Sequence, residues 1–130
     1  MSVSVPLERL QQAAAEYDGG YLVTVGEDSR PHAVYVAPVW EEGALVAEIG
    51  TRSAANATLH PEVALVYPPR VLGGYSLIMD GTATVAPGDG KRGVRVVPTK
   101  AMLHRPATAP DPARACADDC VPILGGRAER

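Results

Sequence analysis

Six short stretches of β-branched or alternating apolar residues, each fenced by glycine, proline or acidic turn residues, constrain this chain most. They cover residues 21–25, 32–40, 44–49, 63–67, 75–85 and 94–97. β-branched and aromatic side chains suit a pleated, half-buried surface. The separators, Gly26 to Pro31, Glu41-Glu42-Gly43, Pro68-Pro69 with Gly73-Gly74, and Gly88-Asp89-Gly90, carry turn chemistry. Short strands at this spacing predict a small barrel or sandwich rather than alternating βαβ units. The first three read as a meander. Gly81 falls inside the longest stretch, where a bulge or barrel corner would bend it, and Pro98 interrupts the last.

Two short helices accompany the strands. Leu7, Leu10, Ala14 and Tyr17 place one apolar stripe on a helix that begins near Pro6 and is stopped by Asp18-Gly19-Gly20. Its expected role is to lie against the sheet or close the end of a barrel. The second helix lies between the third and fourth strands. Ser53 is its candidate N-cap, Leu59 its last residue, and Pro61 ends it near His60.

At 130 residues the chain fits one domain with a core of its own. The expected organisation is a folded unit over residues 1–105 and a tail over residues 106–130, where Pro106, Pro110, Pro112 and Pro122 break regularity. A net charge of -3, with scattered Lys and Arg, gives no footprint for nucleic acid. No apolar run approaches the ~20 residues of a membrane span, and no basic region followed by an apolar one opens the chain. The reading is a soluble, cytoplasmic protein.

Chemistry concentrates in Gly50-Thr51-Arg52-Ser53-Ala54-Ala55-Asn56. A strand end that turns directly into a helix leaves backbone N–H groups unpaired beside an Arg, which is a plausible phosphate cradle. Alternatively, Thr51 and Ser53 only cap the helix and Arg52 sits in solvent. A flavin-like ring would need an apolar wall with backbone donors and acceptors. Val36 and Pro38 are the positions placed against it, though both could equally be core.

In order and spacing these segments resemble the pyridoxamine 5'-phosphate oxidase-like family, the FMN-binding split β-barrels, over about residues 15–105. Tyr21-Leu22-Val23-Thr24-Val25 with Arg30-Pro31-His32-Ala33-Val34 resembles that family's first hairpin. Ala44-Leu45-Val46 leading into Gly50 to Asn56 resembles its third strand and phosphate-binding turn. His60-Pro61-Glu62-Val63 resembles the entry to strand four, and Gly74-Tyr75-Ser76-Leu77 through Asp80-Gly81-Thr82-Ala83 the long fifth strand.

The resemblance implies a mainly β, six-stranded split β-barrel with short helices, forming a homodimer with cofactor sites at the subunit interface. It implies FMN as first choice, the deazaflavin coenzyme F-420 as second and haem in a few relatives, with hydride transfer to or from a small organic substrate. Thr51 matches the hydroxyl position that contacts the cofactor phosphate, and Asn56 the polar position on the following helix. Ser53 stands where many members place a Lys, so the charge would have to come from Arg52. Arg70 could reach a phosphate or carboxylate, or be a solvated loop residue. A non-catalytic flavin- or haem-binding protein, or a cofactor-less dimeric relative, would use the same barrel.

Several other residues invite chemistry. His104 beside Arg105 could move protons or hold an acidic substrate, against the simpler reading of a surface or interface pair. His32 and His60 read as polar edge residues. Cys116 and Cys120 lack the second ligand pair of a zinc site, and a cytoplasmic pair would stay reduced. Trp40 either lines a pocket or packs across a dimer.

Overall fold

Apolar and polar side chains alternate along each predicted strand, and the structure uses that alternation to curl one sheet around a core. The computed structural model describes residues 2–106. Its elements are β1 (Ser2–Ser4), α1 (Leu7–Ala14), β2 (Gly20–Val25), β3 (Pro31–Val36), β4 (Val39–Glu41), β5 (Ala44–Ile49), α2 (Thr51–Leu59), β6 (Glu62–Tyr67), β7 (Ser76–Val85) and β8 (Arg92–His104). The pairings are all antiparallel, in the order β3-β2-β6-β7-β8-β5-β4, with β1 added along the end of β8. Leu22, Leu45, Leu65, Leu77 and Met79 fill the concave side.

The mainly β class with two short helices is what the sequence predicts, but there are eight strands among the described residues rather than six. The stretch over residues 32–40 breaks at Ala37-Pro38. Its halves lie at opposite edges of the sheet, β3 on β2 and β4 on β5. Proline cannot donate to a ladder, so pairing stops there. The expected meander of the first three strands therefore does not form, and the sheet order leaves β3 and β4 at its two ends. The eighth strand is β1, too short to show a pattern in sequence.

The last strand also runs far beyond its expected bounds, passing straight through Pro98 for 13 residues. Gly81 opposes Pro98 while Asp80 opposes Lys100, so Thr99 bulges out of the ladder. A Cβ on Gly81 would stand 2.6 Å from the Val96 side chain, so the corner expected at Gly81 depends on a bare backbone.

The helices pack on the sheet, α1 against β8 and α2 against β7 and β2. α1 buries Leu10 and Ala14 and leaves Leu7 half-exposed, while Tyr17 lies past the helix end and packs on Tyr67. α2 buries Ser53, Ala54, Asn56 and Ala57. It starts at Thr51, two residues before the expected cap: Gly50 is extended and its carbonyl accepts the Ala54 N–H at 3.0 Å. Ser53 is therefore an inward-facing first-turn residue and not the N-cap. Among the described residues no helix is long and apolar enough to cross a membrane. The expectations for the tail, including Cys116 and Cys120, fall outside the described residues.

Candidate functional site

The end of β2 carries a threonine on the inner face of the sheet, where apolar residues would be expected. Thr24 is fully buried, and its Oγ1 accepts a hydrogen bond from Asn56 Nδ2 at 3.1 Å. This bond ties α2 to β2 at a site only 9 % exposed at Asn56. Buried amide and hydroxyl groups are costly unless paired, so the two residues require each other.

Beyond Thr24 the chain turns tightly. The Gly26 N–H donates to the Arg30 carbonyl at 3.0 Å and the Ser29 N–H to the Gly26 carbonyl at 2.9 Å. Asp28 Oδ1 accepts the Arg30 N–H at 3.1 Å, and Ser29 takes the left-handed conformation with φ 64°. A Cβ on Gly26 would lie 2.9 Å from Asp28 Oδ1 and 3.4 Å from Asn56 Oδ1. The bare glycine thus lets the turn approach the helix.

Between turn and helix lies a cleft of about 360 Å³, whose walls include Asp28, Arg30, His32, Arg52 and Asn56. His32 sits directly opposite Thr24 in the β2–β3 register. Arg30 and Arg52 are exposed and make no ion pair with a described residue. The cleft therefore offers two guanidinium groups, an imidazole and an amide to a ligand. No group of three or more His, Cys, Asp or Glu among the described residues could hold a metal ion.

No protein-family model matches the chain. Over 132 aligned positions it is 39% identical to uncharacterized proteins of Mycobacterium bovis and Mycobacterium tuberculosis, covering 90% of this chain and 93% of theirs. The chain belongs to one family with these mycobacterial proteins. Among solved structures it is similar to a proposed pyridoxamine 5'-phosphate oxidase from Listeria innocua (TM-score 0.62, 15% identity, 75% of this chain and 96% of that one). An F420 reductase matches with TM-score 0.59 and 17% identity over 69% of this chain and 94% of that one. An FAD-binding protein from Mesorhizobium loti matches with TM-score 0.63 and 12% identity over 79% and 95%. The fold is the pyridoxamine 5'-phosphate oxidase-like split barrel.

In this split barrel, Arg52 and Asn56 meet at the cleft, and Thr51 begins the helix beside them, exposed. Ser53 is only 2 % exposed and turned away from solvent. Val36 is buried at the far end of β3, opposite Gly20, four residues or ~13 Å along the strand from His32. Pro38 is half-buried between β3 and β4. Arg70 lies beyond β6, where its Nη1 donates to the Glu16 carbonyl at 3.1 Å and its Nε is 3.8 Å from Asp18 Oδ2. It borders a different cleft with Tyr17 and Tyr75.

Three residues went unassigned in the sequence. Arg30 and His32 line the cleft but read as turn and edge. Arg92 opposes Ile49, two positions before Thr51, and its buried Nε has no hydrogen-bond partner among the described residues. His104 is engaged elsewhere: its Nδ1 is 3.2 Å from Ser2 Oγ, where β1 joins β8. Arg105 stacks 4.6 Å from the centre of the Tyr75 ring.

Proposed function

We propose that this split barrel is a homodimeric oxidoreductase that binds FMN or, as second choice, the deazaflavin coenzyme F-420, and exchanges a hydride with a small organic substrate. One observation carries the reading. The cleft at α2, which holds Arg30 and Arg52 beside Glu27 and Asp28, reaches His32, the first of the inward row His32, Val34, Val36 of β3, a strand paired on one side only. An edge strand leaves backbone N–H and C=O groups unpaired, and these suit the polar margin of a flavin-type ring. In this reading a phosphate lies in the cleft and the ring along the open edge of β3 toward Pro38, while Val36 is a core residue behind that edge.

The residues fit such a group. Arg52 provides the charge that Ser53 does not, and it lies in the first turn of α2, where a helix leaves N–H groups without intrahelical partners. When bound, the cofactor supplies the hydride chemistry; the chain supplies binding, orientation and exclusion of water. Tyr21 and Tyr35, exposed and in edge-to-face contact at 5.6 Å on the outer face of β2 and β3, offer an apolar surface to a second copy. The missing cation at Ser53 favours one other reading, a non-catalytic carrier of the same ligand.

A visible spectrum of the purified protein, followed by titration with FMN and with coenzyme F-420, tests the proposal. Colourless protein that binds neither overturns it. Where one binds, Arg52→Ala should weaken it by ~1–3 kcal/mol through loss of a charged hydrogen bond. Turnover with nicotinamide or quinone acceptors then separates enzyme from carrier.

A further inference from the structure

The helix side of the cleft carries a single positive charge, Arg52; Ser53 is uncharged and turned into the protein. The opposite wall carries another. Arg30 holds the turn through its backbone alone: its carbonyl accepts from Gly26, and its N–H donates to Asp28 Oδ1. Its guanidinium is not needed for the turn, and it borders the same cleft as Arg52. His32, two residues along, adds a ring N–H in either charge state. The cleft also includes Glu27 and Asp28, both on the turn, so the two guanidinium groups share it with two carboxylates, of which Asp28 accepts the Arg30 N–H through Oδ1.

We infer that Arg30 and Arg52 clamp one phosphate group of the ligand from the two walls of this cleft, with His32 as an additional donor. The hairpin thereby supplies the countercharge that α2 lacks. A carboxylate offers two oxygens, which one bidentate Arg can engage, whereas the phosphomonoester of FMN has a third terminal oxygen for a second Arg. The buried Asn56–Thr24 bond holds hairpin and helix together, so the clamp is preorganised. This inference rests on the cofactor reading above, extends it to the hairpin, and can fail separately.

The test is a set of titrations with FMN, with coenzyme F-420 and with riboflavin, which lacks the phosphate. The proteins are the wild type, Arg30→Ala, Arg30→Lys and Arg52→Ala, each checked for folding by circular dichroism. Arg30→Ala and Arg52→Ala should each weaken the phosphorylated ligand roughly ten- to a hundredfold and leave riboflavin affinity unchanged, with partial recovery in Arg30→Lys. If Arg52→Ala weakens binding while Arg30→Ala does not, the clamp is wrong and the cofactor reading survives. If the wild type binds neither cofactor, the cofactor reading fails. Inorganic phosphate then decides the clamp: weaker binding in Arg30→Ala upholds it, and no phosphate binding by the wild type overturns it.

Discussion

At one end of β2, Thr24 meets Asn56 by a single buried hydrogen bond, and charged side chains stand around an open cleft. At the other end, Gly20 lies so close to β6 that a Cβ would collide with the Val66 carbonyl oxygen. There Tyr67 is buried behind Tyr17, with ring centres 5.6 Å apart, and the Tyr17 hydroxyl donates to the Tyr75 carbonyl at 2.9 Å. The same strands thus finish in two chemistries. Aromatic packing closes one end and supplies stability. The other end is left with guanidinium groups that make no ion pair with a described residue; they add little to folding but are suited to a ligand.

If that division holds, substitutions at the aromatic end should move stability and leave ligand affinity alone. Tyr67→Ala should cost the most, ~3–5 kcal/mol, measured by urea unfolding, because it empties a large buried volume. The next effect is pH-dependent. Burial pushes the Tyr67 hydroxyl up to about 12 from its ordinary 10.0. The folded state therefore holds that proton more tightly, and its stabilisation is complete below pH 10 and lost as pH rises toward 12. A loss of stability over that window should accompany the tyrosinate absorbance change, and Tyr67→Phe should remove the larger part of it, leaving the share of Tyr17, whose hydroxyl is also pushed up by burial.

Thr24→Val is the matching probe at the polar end. It leaves the Asn56 amide without its partner, and should cost ~1–3 kcal/mol of stability and weaken ligand binding at the same time. Weakened binding without a loss of stability would mean that the bond serves the ligand alone. The smallest effect is expected at Arg70→Ala, within ~0.5 kcal/mol, since its contact with Asp18 is long and both side chains are largely exposed. Loss of cofactor binding in Arg70→Ala would put that residue in the site and blur the two ends.

How far the sequence could be read depended on the range of the interactions involved. β2, β5, β6 and β7 were legible to within a residue: β2, β6 and β7 each keep one parity of buried positions, and β5, which buries the adjacent Ala44 and Leu45, is fenced by Gly43 and Gly50. β8 was not. Its buried residues are Val94 and Val96 before Thr99 and Ala101 after it, and the switch from even to odd ends any period-two pattern. The split of β3 from β4 and the loss of the meander depend on which distant strands pair, which local propensity cannot express.

The candidate site divides the same way. Arg52 and Asn56 were visible because they share one helix. Arg30 and His32 were not, because their approach to Arg52 requires the β2–β3 register and the docking of α2 together. Ser53 was misplaced for a local reason, as an extended glycine took the cap instead.

The bulge at Thr99 also governs which changes in length this fold can absorb. Removing Thr99 would leave Met79 opposite Ala101 and Leu77 opposite Leu103, so the core-facing residues would keep their places while the strand lost its bend. Removing Val97 would instead turn the preceding part of the strand over, carrying Val94 and Val96 to the solvent-facing side. Natural variation in the length of β8 should therefore collect at one position, next to Pro98.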